Sequence, residues 1–161
     1  MPWLPYAVTA ALLVVVAAVG IWATDIGPWY RALEKPSWQP PDWAFGPVWT
    51  TIYVFITAAV GLAWNAAPES AHAGIALAVG VNFVLNMLWS VLFFKLRRPL
   101  WGLVEVVPLW LSIAALMVLF ADFRPLAAWL LLPYLLWVGF AAFLTLTIVR
   151  LNGARPNRGA G

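Results

Sequence analysis

Five stretches of the chain are long and apolar enough to cross a lipid bilayer, and this property limits the possible folds more than any other. A membrane-spanning helix needs about 20 apolar residues. Of the 161 residues, 65% are hydrophobic and only 9% are charged, whereas soluble domains contain roughly 25% charged residues. We therefore predict an all-α fold, an integral membrane bundle of five transmembrane helices, with spans at about residues 3–24, 43–65, 71–94, 99–121 and 125–149.

Little of the chain lies outside these spans. We predict one transmembrane domain, residues 1–151, followed by a flexible basic tail, residues 152–161. The first span lacks the basic segment of a signal peptide, and its apolar stretch is too long for one, so we expect a retained helix. The chain contains no cysteine, which excludes disulfides and thiolate chemistry.

The basic residues predict the orientation of the bundle. If the five helices alternate, eight of the nine Lys and Arg residues fall on one side. The positive-inside rule places that side in the cytoplasm, with the N-terminus outside and the first loop and the C-terminus inside. The net charge of +3 indicates contact with anionic lipid and no nucleic-acid partner. The eight residues are Arg31, Lys35, Lys95, Arg97, Arg98, Arg150, Arg155 and Arg158.

The first loop, residues 25–42, is unusually aromatic and rich in proline. Residues 29–43 contain three Trp, one Tyr and three Pro. Proline lowers the entropy lost when a loop becomes ordered, and aromatic rings provide apolar cover. We predict a preformed lid over the cytoplasmic mouth of a cavity. The alternative, an interfacial aromatic belt, accounts for the Trp residues but not for the Pro residues.

Polar side chains of the third span recur on one face of the helix. Asn82, Asn86 and Ser90 follow each other at intervals of four residues, and Trp89 lies beside them. An amide inside a membrane needs a hydrogen-bond partner. The stripe therefore either joins neighbouring helices or faces the polar groups of a ligand, and the sequence leaves both alternatives open.

Two ionisable residues of the spans carry alternative interpretations. Glu105 lies about two turns from the basic loop and either marks a functional site or pairs with Arg97 or Arg98 or remains hydrated. His72, the sole histidine, lies at the outer end of the third span. It is either a haem ligand or an interface residue, and the lack of a second ligand favours the interface. We expect no metal site.

Bends and aromatic faces predict a cavity between the helices. Pro47, Pro108 and Pro133 fall inside spans, where each removes a backbone hydrogen bond and permits a bend. Aromatic side chains recur at helical spacing on the second and fifth helices, which indicates either an apolar cavity or ordinary core and lipid contacts. These positions are Trp49 and Tyr53, and Tyr134, Trp137, Phe140 and the small Ala141.

Taken together, these residues resemble the translocator protein family, also called tryptophan-rich sensory proteins or peripheral-type benzodiazepine receptors. The resemblance covers most of the chain. It is carried by Trp29-Tyr30, Leu33, Lys35-Pro36, Trp38, Pro40-Pro41, Phe45, Val48-Trp49, Tyr53, Asn86, Trp89-Ser90, Phe93-Phe94, Leu109-Trp110, Pro133-Tyr134, Trp137, Phe140-Ala141 and Leu144.

The resemblance implies a five-helix bundle, often a homodimer, which binds porphyrins, sterol-like lipids and synthetic drugs in a pocket under the first loop. The ligand-binding residues that it implies are Tyr30, Trp38, Pro40, Pro41, Trp49, Tyr53, Asn82, Asn86, Trp89, Trp137, Phe140 and Ala141. In this chain Asn82 stands where many relatives have Gln. Thr145 stands where an Asn is common, and residues 145–150 lack the Tyr-containing cholesterol motif of animal members, which favours tetrapyrroles over sterols.

We therefore expect a receptor or transport-type membrane protein for porphyrins and related flat hydrophobic ligands. No cofactor is required, and porphyrin or haem is a possible ligand. One alternative is light-dependent porphyrin degradation involving Trp49 and Trp137, and another is a sterol- or lipid-binding transporter. The absence of an acid–base or nucleophile constellation argues against other enzymes.

A homodimer is expected to form through the third helix. Ala76 and Gly80 form a small-xxx-small pair, and Ala73 extends the same narrow face, which allows close approach of two helices. The alternative is that this pair packs within the monomer.

Overall fold

The structure, a computed structural model, describes residues 1–153. This part of the chain forms seven α-helices, and a π-helical turn, Val91–Lys95, continues from the fourth of them. The helices are α1 (Leu4–Ala23), α2 (Pro28–Ala32), α3 (Asp42–Ala66), α4 (Glu69–Ser90), α5 (Pro99–Phe123), α6 (Pro125–Leu130) and α7 (Leu132–Asn152).

The all-α prediction with five membrane-spanning segments is confirmed. The structure begins and ends each segment within three residues of the predicted span. The predicted tail lies outside the described residues from residue 154 onward. The fifth segment is interrupted at Leu131, between α6 and α7, and Pro133 follows in the first turn of α7, where the missing N–H costs no hydrogen bond. Pro47 and Pro108 lie inside helices that remain continuous.

The five segments close into a ring. Helix α1 packs between α3 and α4, and α5 packs between α4 and the α6–α7 segment. Helix α3 packs against α6 but makes only sparse contact with α7. The outward faces remain apolar: Val54, Leu77 and Val118 are each more than 60% exposed. In water an apolar surface of this size would promote aggregation, so this surface requires lipid around it.

A glycine sets the distance between α1 and α3. Gly61 is buried in α3, and a Cβ atom at this position would lie 2.3 Å from the ring of Tyr6 on α1. A Cβ atom this close to the Tyr6 ring would force the ring to move. The aromatic ring therefore occupies the space that a side chain at residue 61 would need, and the two helices approach closely at this point.

We expect Gly61→Ala to lower the thermal stability of the detergent-solubilised protein. Overpacking of a helix contact costs about 1–3 kcal/mol, because the Tyr6 ring and α1 have to shift. Gly74→Ala is the matched control, since Gly74 lies in α4 with open space around its Cβ position. Thermal unfolding followed by circular dichroism measures both variants, and equal midpoints for the two would contradict the close contact.

Candidate functional site

A groove lies between α3 and α7. Its volume is about 450 Å³, within the range of small-molecule pockets of roughly 300–1,000 Å³. The groove exists because α3 and α7 make so little contact with each other. It is lined by Pro47, Val48, Thr51 and Ile52 of α3 and by Pro133, Leu136, Trp137 and Phe140 of α7.

The α7 wall of the groove is aromatic. The rings of Trp137 and Phe140 stack with their centroids 5.5 Å apart. Phe45, near the start of α3, approaches Trp137 edge-on at 5.5 Å. Opposite them, the hydroxyl of Thr51 donates to the Pro47 carbonyl at 2.9 Å. The groove therefore offers flat apolar surface and few free hydrogen-bonding groups.

Two of the predicted ligand-binding residues, Trp137 and Phe140, line this groove. Trp49 and Tyr53 lie elsewhere on α3, with ring centroids 5.6 Å apart, and Trp49 packs 6.1 Å from Tyr134. Ala141 is half-buried and is absent from the lining of the groove.

Six lining residues are not predicted as ligand contacts by the sequence. It predicts only bends at Pro47 and Pro133, although both residues line the groove. The remaining four positions carry no pattern that separates them from a lipid-facing surface. They are Val48, Thr51, Ile52 and Leu136.

The asparagines of α4 form a buried hydrogen-bond network. The Asn86 amide donates to the Tyr134 hydroxyl at 3.0 Å, and that hydroxyl donates to Asn82 Oδ1 at 3.2 Å. The Asn82 amide donates to the Ser112 hydroxyl at 2.8 Å, which donates to the Leu109 carbonyl at 2.7 Å. The network joins α4, α5 and α7.

Of the two alternatives for the asparagine stripe, the structure shows the interhelical one. Asn82 is 1% exposed and Asn86 8% exposed, and neither lines the groove. Amides buried in a membrane bundle are most stable when paired in this way.

The first loop is folded around Tyr30. It contains the short helix α2, which the sequence did not predict. The Tyr30 hydroxyl accepts from Gln39 Nε2 at 3.0 Å, and the Lys35 ammonium donates to the Tyr30 carbonyl while lying 4.2 Å from the ring centroid. Burial raises the pKa of Tyr30. Pro40 is half-buried, and Pro41 is exposed and leads into α3.

Polar and aromatic contacts attach the loop to the bundle. The Glu34 N–H donates to Asn152 Oδ1 at 3.0 Å, and Asn152 Nδ2 donates back to the Glu34 carbonyl at 2.9 Å. Arg97 pairs with Asp25 at 3.1 Å. The Trp38 ring lies 5.4 Å from Phe143 and 5.9 Å from Phe140.

The charge of Asp25 is stabilised where the loop leaves α1. The Gly27 backbone N–H, which donates to Asp25 Oδ1 at 2.9 Å, and the Arg97 guanidinium hold the pKa of Asp25 below its ordinary value. This carboxylate ties the start of the loop to the α4–α5 connection.

Below the loop lies a cluster of aromatic rings. The π-helical turn places Phe93 and Phe94 together, with ring centroids 4.7 Å apart. Trp89 stacks on Phe93 at 5.3 Å. Trp29 and Tyr30 approach from the loop, at 6.3 Å from Phe93 and 5.6 Å from Phe94. Trp89, Phe93, Phe94, Trp29 and Tyr30 form what we call the aromatic cluster.

Of the two ionisable residues, Glu105 differs from its expected environment and His72 does not. The prediction that Glu105 pairs with Arg97 or Arg98 or stays hydrated is wrong, because Arg97 is bound to Asp25 and Glu105 is only 6% exposed. His72 is held at the interface: its ring stacks on Trp64 at 4.2 Å, and its Nε2 lies 3.1 Å from the Trp64 carbonyl. No group of potential metal ligands was found among residues 1–153.

The chain resembles known proteins over most of its length. The model of the TspO/MBR family matches residues 7–151. Tryptophan-rich protein TspO of Chlorobaculum tepidum is 41% identical over 77% of this chain and 79% of its own length.

Two further relatives agree with this assignment. Protein CrtK of Rhodobacter capsulatus is 38% identical over 81% of this chain and 82% of its own length. The human translocator protein is 38% identical over 77% of this chain and 75% of its own length. The chain therefore belongs to the TspO/MBR family.

Proposed function

We propose that this protein is a membrane receptor or transport-type protein that binds porphyrins and related flat hydrophobic ligands in the α3–α7 groove. The observation that carries the proposal is the aromatic wall formed by Trp137 and Phe140 beside a cavity of about 450 Å³. A flat macrocycle gains most from ring surfaces of this kind, because stacking adds to the apolar area that it buries.

The first loop is suited to control access to this groove. Trp38 of the loop lies against Phe140, and Phe140 itself lines the groove. A movement of the loop therefore changes the position of Trp38 against Phe140, and thereby the surface of the groove. We propose that the loop acts as a lid and that the end of the bundle carrying it faces the cytoplasm, as the distribution of Lys and Arg indicates.

We also propose that two copies associate through α4. Ala73, Ala76 and Gly80 are exposed on the outside of the bundle, and a Cβ atom at Gly80 would meet nothing within 4 Å. The exposure of Ala76 and Gly80 in the monomer supports this proposal over packing within the monomer. A narrow, exposed face of small residues allows a second helix to approach closely.

We expect Thr51→Trp to weaken protoporphyrin binding by about tenfold, because the indole fills part of the groove and this loss corresponds to about 1.4 kcal/mol. Thr50→Trp is the matched control. Both threonines are exposed and both donate to the carbonyl four residues earlier, but only Thr51 lines the groove. The shift of the porphyrin absorption band on titration measures the affinity of each variant. Equal affinities for the two variants would exclude the groove as the porphyrin-binding site.

We expect Asn152→Ala to accelerate porphyrin release more than it slows association. The variant loses the two hydrogen bonds to the Glu34 backbone, and the loss of about 1 kcal/mol of lid attachment corresponds to roughly fivefold faster dissociation. Asn65→Ala is the control, since it loses a single hydrogen bond to the Pro2 carbonyl far from the lid. Stopped-flow fluorescence measures the association and dissociation rates. An unchanged dissociation rate in Asn152→Ala would contradict the proposal that the first loop acts as a lid.

We expect Gly80→Leu to shift the detergent-solubilised protein from dimer to monomer. The open space around this position leaves the monomer fold intact, while a Leu side chain holds the two helices apart. Gly74→Leu, on a different face of α4 and equally open, serves as control. Sedimentation measures the mass of each, and a Gly80→Leu dimer of unchanged stability would place the interface elsewhere.

A further inference from the structure

Glu105 is a buried carboxyl group without a partner. It lies in the second turn of α5 and is 6% exposed. Neither of its side-chain oxygens has a hydrogen-bond partner within residues 1–153. A charged carboxylate in such surroundings is costly, so it either adopts its neutral form or acquires a cation.

The basic side chains near this end of the bundle are engaged elsewhere or point into solvent. Arg97 pairs with Asp25, Lys95 lies over the Trp22 ring at 4.5 Å, and Lys35 binds the Tyr30 carbonyl. Arg98 and Arg150 are exposed. Among the described residues, therefore, no basic side chain acts as the counter-ion of Glu105.

Trp89 and Glu105 lie at corresponding levels along helices α4 and α5. Helices α4 and α5 are antiparallel, and Asn82 is bonded to Ser112. Trp89 follows Asn82 by seven residues, and Glu105 precedes Ser112 by seven. The side chain of Phe93, one turn further along, lies 3.2 Å from the Cβ position of Gly102, which fits the same register.

Trp89 also has an unsatisfied polar group. Its Nε1 is buried and has no acceptor among the described residues. The ring stacks on Phe93 and meets Phe94 edge-on at 5.9 Å. Two adjacent helices thus present a carboxyl group and an indole N–H at one level, next to the aromatic cluster.

The local backbone is irregular at this level. Val91–Lys95 forms a π-helical turn, a feature that occurs frequently at functional sites. This turn carries both Phe93 and Phe94 into the aromatic cluster. An irregular turn, an unpaired carboxyl group and an unpaired indole N–H therefore coincide in one region.

We propose that Glu105 and the rings of Trp89, Phe93 and Phe94 form a binding site for an apolar amine. In the free protein the carboxyl group is neutral. When a neutral amine enters, the O–H bond of Glu105 breaks, its proton forms an N–H bond on the amine, and the resulting ammonium is held by the carboxylate. Aromatic faces around it add cation–π attraction, which is strongest where water is excluded.

Phe140 is the residue that connects this site with the groove. It lines the α3–α7 groove and packs against the buried group formed by Tyr30, Phe93, Leu144 and Ile148. An apolar amine can enter the groove from lipid and reach Glu105 when that ring moves. The site goes beyond the proposed porphyrin binding, because Glu105 is not part of the lining of the groove and its protonated carboxyl group recognises a base, whereas the propionates of a porphyrin are acids.

The test compares two probes of the same shape, dimethylaminomethylnaphthalene and isobutylnaphthalene, which lacks the nitrogen. Equilibrium dialysis against the full chain in lipid nanodiscs, corrected with empty nanodiscs, measures the binding of each. Glu105→Gln removes the carboxyl group with little change in volume. Asp122→Asn is the matched control, because Asp122 is an exposed carboxylate at the other end of α5.

We expect the amine to bind wild type and Asp122→Asn about tenfold more tightly than Glu105→Gln, as expected for a charge-assisted hydrogen bond. The hydrocarbon binds all three alike. Infrared difference spectra of wild type then lose a protonated-carboxyl band when the amine is added, and spectra of Glu105→Gln do not.

Equal amine affinity in wild type and Glu105→Gln would overturn the proposal, and so would an unchanged carboxyl band in wild type. If Glu105→Gln does not yield a monodisperse protein, the wild-type infrared spectrum decides alone. Porphyrin affinity measured in parallel keeps the two proposals separate, because we expect Glu105→Gln to retain it.

Discussion

The hydroxyl group of Tyr134 holds the arrangement of the bundle together. Lipid is as apolar as the helices, so burial of apolar surface does not select which helix faces meet, and hydrogen bonds and close contacts do so instead. Tyr134 bonds to both Asn82 and Asn86 of α4, and Asn82 extends the network to Ser112 of α5. With Tyr134 turned inward and 1% exposed, α7 presents Trp137 and Phe140 towards α3.

This network has a consequence for recognition. Because Asn82 and Asn86 bond within the protein, the groove is left with aromatic rings, aliphatic side chains and a threonine whose hydroxyl is already engaged. Such a surface selects ligands by shape and apolar area more than by hydrogen bonds. In the proposed ligand site, polar selectivity therefore has to come from groups outside the groove, such as those of the first loop, whose Trp38 ring contacts Phe140.

The two ends of the bundle differ in how well their polar groups are satisfied. At the N-terminal end of α1, the His72 ring is bonded to the Trp64 carbonyl, and Asn65 donates to the Pro2 carbonyl at 2.7 Å. At the loop end, buried polar atoms of Gln39, Trp89 and Glu105 lack partners in the described part of the chain. Buried groups without partners are rare in folded proteins and often mark functional regions. In the described part of the chain, the buried polar atoms without partners therefore lie at the loop end of the bundle.

The sequence by itself determined the five spans, since length and hydropathy are local properties of the chain. It also identified the aromatic face of α7 that includes Trp137 and Phe140, because residues three apart share one side of a helix. Only the tertiary structure decided that Asn86 bonds to Tyr134, 48 residues away, that Glu105 has no hydrogen-bond partner within residues 1–153, and that the groove opens between α3 and α7. Those outcomes depend on the rotation and tilt of each helix, which are set by contacts between distant residues that no local pattern encodes.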